Sequence, residues 1–138
     1  MSGRITIAQK TQEVSIPVNG KVELNASLNL VEGSSSIVVM AYGSSSGRLG
    51  SRNCFVAEEL NKAGLSTMQI DLLSTEEERV DLETGEYRFD IDLLAKRVKS
   101  VTKWLMEGEG TGEMKVAYWG SNASAAAVLT AASEMRKT

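Results

Sequence analysis

KVAYWGSNASAAA, at residues 115–127, combines three features in a short space. An apolar run that is long enough only for a strand ends at Gly120, small residues follow, and an alanine-rich segment then predicts a helix from about Ala123 to Arg136. A strand that turns this sharply into a helix brings one residue and the first helical amides to a common point above the edge of a sheet. We therefore look for the functional centre of the chain at this corner.

The corner has the spacing of the Gly-x-Ser-x-Gly motif, in which a serine on a sharp strand-to-helix turn acts as the nucleophile. The five positions here are Gly120-Ser121-Asn122-Ala123-Ser124. Asn122 stands where the motif has its serine, and the carboxamide of asparagine is no useful nucleophile. The sequence thus predicts that the geometry of the strand-to-helix turn is kept and that nucleophilic catalysis is lost.

The bulk composition predicts one domain, residues 1–138. Of these 138 residues 42% are hydrophobic and 24% are charged, which suits a globular domain with a core. The net charge is −3 and the 15 lysines and arginines are scattered, which argues against nucleic acid or an anionic membrane as the partner. The chain shows no basic-then-apolar leader and no membrane-length apolar run, so we expect a cytoplasmic protein.

Two residue counts restrict the chemistry. The chain has no histidine, which excludes any Ser-His-Asp, Cys-His or histidine-based zinc site built from this chain alone. Its single cysteine, Cys54, excludes an intrachain disulfide and is expected to be a buried, inert thiol. We accordingly predict no metal and no cofactor.

The first part of the chain predicts a hairpin. Residues 5–18 alternate loosely as a strand, and residues 22–30 alternate strictly between apolar and polar side chains. Between them, Asn19-Gly20 is the dipeptide typical of a two-residue hairpin turn. One face of this antiparallel ribbon should be buried and the other wet.

Strands and helices alternate from residue 37 onward. Continuous apolar runs predict three further strands, at 37–42, 65–73 and 115–119. Apolar residues at helical spacing predict three helices, at about 52–63, 90–105 and 123–136. Such alternation implies parallel strands with helices on both faces, a three-layer α/β fold.

The connections are expected to be loops. Residues 43–50 and 107–112 are rich in glycine or serine and predict flexible loops. Residues 74–88 read as a long acidic connection that is too polar for the core.

Taken together, these segments resemble the N-terminal half of an α/β hydrolase, most closely the dienelactone-hydrolase-like branch. The resemblance rests on Ile37–Gly43 and the small-residue loop after it, Arg52-Asn53, Ile70-Asp71-Leu72-Leu73, Glu76-Glu77-Glu78, Arg88-Phe89-Asp90-Ile91 and the corner at 120–124. It covers roughly residues 12–136, nearly the whole chain. It implies a truncated hydrolase fold with a mostly parallel five-stranded sheet in the order 1-2-4-3-5.

The resemblance also implies a site between the C-terminal ends of strands 3 and 5. In the family a His-Gly pair opens the loop after strand 3 and supplies an oxyanion-hole amide, and the family's acid and histidine follow later strands that this chain does not reach. Here no residue is predicted to be catalytic. The candidates for binding a ligand are Tyr42, Gly43, Ser44, Ser121, Asn122 and Ala123.

Asn122 has two interpretations. The elbow residue typically has a positive φ, which asparagine tolerates better than most residues, so Asn122 is on one reading a plain turn residue. On the other reading its carboxamide, with the amides of Ser44 and Ala123, binds a small anion or a carbonyl group at the start of the helix.

Other polar residues are expected to have ordinary roles. Ser121 and Ser124, as displaced nucleophiles, would need a lysine or a carboxylate as their base, so we expect loop or N-cap serines. The loop Ser44–Gly47 lacks the ending of a phosphate-binding P-loop. The carboxylates of Asp71, residues 76–78 and Asp81 match no calcium-binding spacing and predict a solvated acidic surface.

The predicted function is that of a catalytically inactive α/β-hydrolase-like domain with a structural, oligomerising or small-ligand-binding role. The alternative is a residual or split serine hydrolase whose acid and base come from a partner chain. Strand 115–119 would form an exposed sheet edge without a charge after its first residue. We therefore expect a homodimer through this edge or through the C-terminal helix.

Overall fold

A five-stranded sheet with helices on both faces makes up the computed structural model, which describes residues 9–20, 22–43, 45–120 and 123–136. The strands are β1 (Gln9–Asn19), β2 (Val22–Val31), β3 (Ser36–Tyr42), β4 (Ser66–Asp71) and β5 (Lys115–Gly120). The helices are α1 (Ser45–Arg48), α2 (Ser51–Lys62), α3 (Thr75–Thr84), α4 (Ile91–Met106) and α5 (Ala123–Arg136). No helix in this part of the chain has the length and apolar character needed to cross a membrane.

The strands pair in the order β1-β2-β4-β3-β5, which confirms the predicted order. β1 and β4 both run antiparallel to β2, whereas β3 runs parallel to β4 on one side and to β5 on the other. Because the chain continues from β3 first to one side and later to the other, β3 is the point where the strand order reverses. Ligands of open α/β sheets bind beside the carboxyl ends of the strands at such a point.

The predicted hairpin is confirmed. β1 and β2 pair along most of their length, and Gly20 in the turn has a φ of 52°, a left-handed conformation that glycine adopts without steric cost. The fully buried pair Ile16 and Leu24 lies in register on the inward face.

The larger core lies between one face of the sheet and the helices α4 and α5. Val98 and Leu105 of α4 and Ala127 of α5 are buried against strand residues such as Val39 and Ile70. α4 presents apolar residues at intervals of three and four, as predicted. Its start is also as predicted, since the Asp90 carboxylate accepts a hydrogen bond from the Leu93 amide at 3.2 Å.

The opposite face of the sheet is divided into an apolar and a polar half. On β3, Val38, Met40 and Tyr42 form a small apolar cluster with Ala57 of α2. On β4 and β2, the same face carries buried polar side chains, among them Gln69. Ala57 of α2 packs on the apolar half, and Asn61 of α2 donates a hydrogen bond to Thr67 Oγ1 on β4 at 3.2 Å.

The prediction of a loop over residues 43–50 is wrong for Ser45–Arg48, which form the single helical turn α1. The turn lies directly on β3, since a Cβ atom at Gly47 would be 3.1 Å from the Cβ atom of Tyr42. The turn is also held by Arg48, which is only 7% exposed and pairs with Asp71 at the end of β4. In α2, Phe55 is an apolar residue that is 58% exposed.

The prediction of an irregular connection over residues 74–88 is also wrong, because Thr75–Thr84 form α3. A capping box starts this helix: the Glu77 amide donates to Ser74 Oγ at 3.2 Å and the Ser74 amide donates to Glu77 Oε1 at 2.9 Å. Gly85, with a φ of 70°, ends it. The acidic first turn suits the positive end of the helix dipole.

Glu77 also joins α3 to α4. Both of its carboxylate oxygens accept hydrogen bonds from Arg97, with Nη2 to Oε2 at 2.6 Å, and Arg97 Nη1 donates to the Leu72 carbonyl at 3.0 Å. The side chains of Arg97 and Glu77 are 8% and 15% exposed. The hydrogen bonds from Arg97 lower the pKa of Glu77 more than burial raises it.

We predict that Glu77→Gln lowers the free energy of unfolding by about 2 kcal/mol at pH 7, because a charged, buried hydrogen-bond acceptor is lost. Since the folded-state pKa of Glu77 lies below its unfolded value, this stabilisation is present above the unfolded pKa and is lost as the pH falls through the folded one. Urea unfolding at a series of pH values tests both points. The matched control is Glu76→Gln, whose ion pair with Arg79 is exposed on both sides and should contribute little. Equal losses in the two variants would contradict the prediction.

Candidate functional site

The candidate site is the corner between β5 and α5, beside the end of β3. Ala41 near the end of β3 pairs with Gly120 at the end of β5, so the two strand ends adjoin as predicted. β5 ends at Gly120 and α5 begins at Ala123, which confirms a strand followed closely by a helix. Ser121 and Asn122 of the corner lie outside the described residues, and so does Ser44 in the loop after β3.

Gly120 is required by the close approach of the strand to the helix. A Cβ atom at this position would lie 3.0 Å from the carbonyl oxygen of Ser124 and 3.2 Å from the Cα atom of Ala125. Both atoms belong to the backbone of α5 and cannot move away independently. The first glycine of the elbow motif is therefore retained here for a steric reason that does not depend on catalysis.

Tyr42, a candidate for ligand binding, is a core residue. It is 4% exposed, and its ring packs against that of Trp119 with a centroid distance of 5.8 Å and an interplanar angle of 59°. Its hydroxyl accepts a hydrogen bond from Gln69 Nε2 at 3.3 Å, and burial raises its pKa. Of the other described candidates, Gly43 is exposed after β3 and Ala123 is the first residue of α5.

Ser124, considered as a displaced nucleophile, is buried in the first turn of α5. Its exposed fraction is 6%. A nucleophile must reach a substrate that enters from solvent, which this burial disfavours.

The charged group that the sequence analysis did not place is Arg48. Its Nε donates to Asp71 Oδ2 at 2.9 Å, and its Nη1 donates to Glu13 Oε1 at 2.9 Å and to Ser27 Oγ at 2.7 Å. Arg48 lies in α1 and its three partners come from β4, β1 and β2, and Asp71 lies next to Tyr42 in the parallel register of β3 and β4. No local pattern in the sequence joins residues this far apart.

Among the described carboxylates, Asp71 has the most strongly shifted pKa. It is 1% exposed, and its Oδ1 accepts no hydrogen bond from any of the described residues. Burial raises the pKa of Asp71 to about 6, and the hydrogen bond from Arg48 only partly opposes this effect.

The prediction of a solvated acidic surface is wrong for three carboxylates. Asp71, Glu77 and Asp81 are largely buried, and each pairs with a different arginine: Arg48, Arg97 and Arg88 respectively. They therefore do not converge on one point. Within the described ranges, no three histidine, cysteine, aspartate or glutamate residues are grouped closely enough to hold a metal ion.

A cleft of about 410 Å³ opens on the polar half of the sheet, beside α2. Its walls include Glu13, Arg48 and Gln69. Cys54 also lines it, half-buried rather than fully buried as expected, and its thiol donates to the Arg48 carbonyl oxygen at 3.5 Å. The cleft lies on the α2 side of the sheet, and its described lining does not include Tyr42 or Gly43.

Comparisons with known proteins identify the fold. A dienelactone hydrolase from Anabaena variabilis superposes with a TM-score of 0.88 and 44% identity, over 95% of this chain and 60% of that one. An esterase from Pyrococcus furiosus, 17% identical, superposes with a TM-score of 0.72 over 99% of this chain and 50% of its own. The predicted resemblance to an α/β hydrolase of the dienelactone hydrolase type is thereby confirmed at the level of the fold.

The sequence relatives carry a different name. Two proteins from Mycobacterium tuberculosis, strains CDC 1551 and H37Rv, are 41% identical over 127 residues and are provisionally named phosphoribosyl transferases. The match covers 92% of this chain but 28% of each relative. No protein-family model matches the sequence.

We predict that Gly120→Ala lowers the free energy of unfolding by about 1–3 kcal/mol, because the added methyl group meets the backbone of α5. Gly43→Ala is the matched control, since a Cβ atom there has no neighbour within 4 Å among the described residues. Urea unfolding of both variants measures the difference. A Gly120→Ala protein as stable as Gly43→Ala would contradict the close approach.

We predict that the stability advantage of the wild type over Asp71→Asn shrinks by roughly 1–3 kcal/mol between pH 4 and pH 7. The folded-state pKa of about 6 lies above the ordinary value of 3.8, so the folded protein binds the proton more tightly between these values. The resulting stabilisation is complete below the unfolded pKa and is lost as the pH rises through the folded pKa. Unfolding titrations at several pH values measure it, and an advantage that grows with pH would show that Arg48 outweighs burial.

Proposed function

We propose that this chain is a binding domain with the fold of an α/β hydrolase and that it does not itself hydrolyse esters. The observation that carries this proposal is Asn122, which occupies the nucleophile position of a corner whose flanking strand and helix are intact. A carboxamide in this position cannot form the covalent intermediate that a serine forms.

The retained glycine supports the proposal. Gly120 satisfies a packing requirement of the scaffold, whereas the serine that the motif has two positions later serves as the nucleophile. Loss of the reactive residue together with retention of the packing residue is what we expect when the shape is needed and the reaction is not. Asparagine also fits the backbone, because it tolerates the positive φ of an elbow residue.

The ligand class that fits the corner is a small anion or a carbonyl group. α5 is a 14-residue helix that begins at Ala123, and the start of a helix presents backbone amides to which an anion can bind. By the resemblance, the amide of Ser44 would face them from the loop after β3. Tyr42 contributes through its backbone position only, because its side chain is used in the core.

We do not extend a transferase activity to this chain. The relatives with that name match over 28% of their length, and the matched segment here superposes on a dienelactone hydrolase. The transferase name therefore carries no argument about the chemistry of these residues.

The alternative is a residual or split hydrolase. It draws support from the extent of the match, since the chain spans 60% of the dienelactone hydrolase and a site could be completed by residues from elsewhere. Ser121 would be the nucleophile in that case, because Ser124 is buried.

We further propose that two copies associate through β5 or α5. β5 pairs with β3 on one side, and no described strand lies on its other side. Leu129 on α5 is 70% exposed, which is unusual for a large apolar side chain in a helix. A two-fold dimer would place either surface against its own copy.

We predict that a fluorophosphonate probe does not label the wild type and that the chain does not release p-nitrophenol from p-nitrophenyl acetate above the background rate. Intact-mass spectrometry after labelling gives the result directly. Label on Ser121, absent in Ser121→Ala, would favour the split hydrolase.

We predict a mass by light scattering of twice 14.9 kDa at micromolar concentration. Leu129→Glu separates the two modes of association, because it adds a charge to the surface of α5 and leaves the β5 edge unchanged. A monomeric variant identifies α5 as the interface, and a dimeric variant identifies the β5 edge. A monomeric wild type would contradict the proposal.

A further inference from the structure

The cleft beside α2 contains two hydrogen-bond donors that together can bind a carboxylate. Arg48 and Ser27, each 7% exposed, lie at its wall. The cleft volume of about 410 Å³ is within the usual range for sites that bind small molecules.

The guanidinium of Arg48 is held in a fixed position. The bond from Nε to Asp71 Oδ2 orients it from the sheet side, and Asp71 is itself 1% exposed. Nη1 then lies 2.7 Å from Ser27 Oγ. Nη2 donates to none of the described residues, so the guanidinium retains unused hydrogen-bonding capacity beside the cleft.

A carboxylate already occupies these donors. Glu13 Oε1 accepts from Arg48 Nη1 at 2.9 Å, and Glu13 Oε2 accepts from Ser27 Oγ at 2.7 Å. The two donors therefore address the two oxygens of one carboxylate, and the bond from Arg48 is charge-assisted.

Glu13 differs from its donors in burial. Its side chain is 63% exposed, and it projects from β1, which is an edge strand. An ion pair with one partner mostly in water contributes little, so its displacement costs little. Arg48 and Ser27, the donors, are buried and held in place, whereas Glu13, the acceptor, is exposed and can be displaced.

We propose that this cleft binds a small carboxylate ligand, which takes the place of Glu13 on Arg48 and Ser27 while the Glu13 side chain turns into water. The remainder of the ligand would lie along α2, against Ala57 and Gln69. Glu13 acts as an internal competitor that occupies the site when the ligand is absent.

Cys54 provides a direct test, because it lines the same cleft and is the only cysteine in the chain. Iodoacetate and iodoacetamide alkylate a thiolate by the same step, in which the sulfur bonds to the methylene carbon and iodide leaves, but only iodoacetate carries a carboxylate. The measured quantity is the ratio of the two rate constants at Cys54, divided by the same ratio for N-acetylcysteinamide. This double ratio cancels the intrinsic reactivity of the thiol.

We expect a double ratio of about ten for the wild type, from charge-assisted hydrogen bonds to the reagent. Glu13→Ala should raise it several-fold, because the competitor is removed. Glu58→Ala is the matched control: Glu58 is an exposed acid that lines the cleft without contacting Arg48, so its removal should leave the double ratio close to the wild-type value. Equal values for Glu13→Ala and Glu58→Ala would show a general effect of charge and would overturn the proposal.

The donors are tested separately. Arg48→Gln should bring the double ratio to one, and Ser27→Ala should lower it in part. If Arg48→Gln does not fold, the double ratios of Ser27→Ala and Glu13→Ala still decide the result, because Ser27→Ala is a smaller change and Glu13 is exposed. Benzoate should protect Cys54 of the wild type from iodoacetamide and benzamide should not; equal protection by the two compounds, or a wild-type double ratio of one, would contradict the proposal.

Discussion

A single buried guanidinium connects parts of the chain that are far apart in sequence. Arg48 belongs to the turn after β3, yet it hydrogen-bonds Asp71 at the end of β4 and reaches Glu13 and Ser27 in the first hairpin. A buried charge is tolerated only when its partners are in place, so this cluster holds the turn, the central strands and the hairpin in one arrangement. On the polar half of the sheet face, Arg48 forms hydrogen bonds with the buried side chains of Asp71, Ser27 and Gln69.

The corner after β5 shows how the demands of a scaffold differ from the demands of a reaction. Gly120 lies where two backbone segments approach closely, and a Cβ atom at that position would be only 3.0 Å from the backbone of α5. Two positions later the sequence departs from the hydrolase motif, with Asn122 in place of the serine. Similarity of fold therefore extends to this chain, whereas activity must be argued residue by residue.

The sequence was sufficient for the elements that depend on apolar periodicity. The hairpin at Gly20 and the apolar stripe of α4 follow from where hydrophobic residues recur. The strand order follows from the resemblance that those segments carry. The helix α3 was missed although its signal was present, since Ser74 and Glu77 have the spacing of a capping box. Because the segment is rich in acidic residues, it was interpreted as a loop, and its capping box was not recognised as the start of a helix.

The buried ion pairs were missed for a different reason. Arg48 and Asp71 are 23 residues apart, and Glu77 and Arg97 are 20 apart, so that only the folded topology brings them together. In a linear reading a charge predicts solvent exposure, and an arginine in a loop of small residues gives no sign of its partner. The same limit explains why the cleft beside α2 could not be anticipated.

The two borders of the sheet are unequal. β1 carries Pro17, which has no amide hydrogen to offer a neighbour, a register irregularity between Pro17 and Asn19, and the charged Glu13. β5 has none of these protections between Val116 and Gly120. In the proposed dimer through β5, the two β1 borders would lie at the outside of the joined sheet, where these features disfavour the addition of further strands.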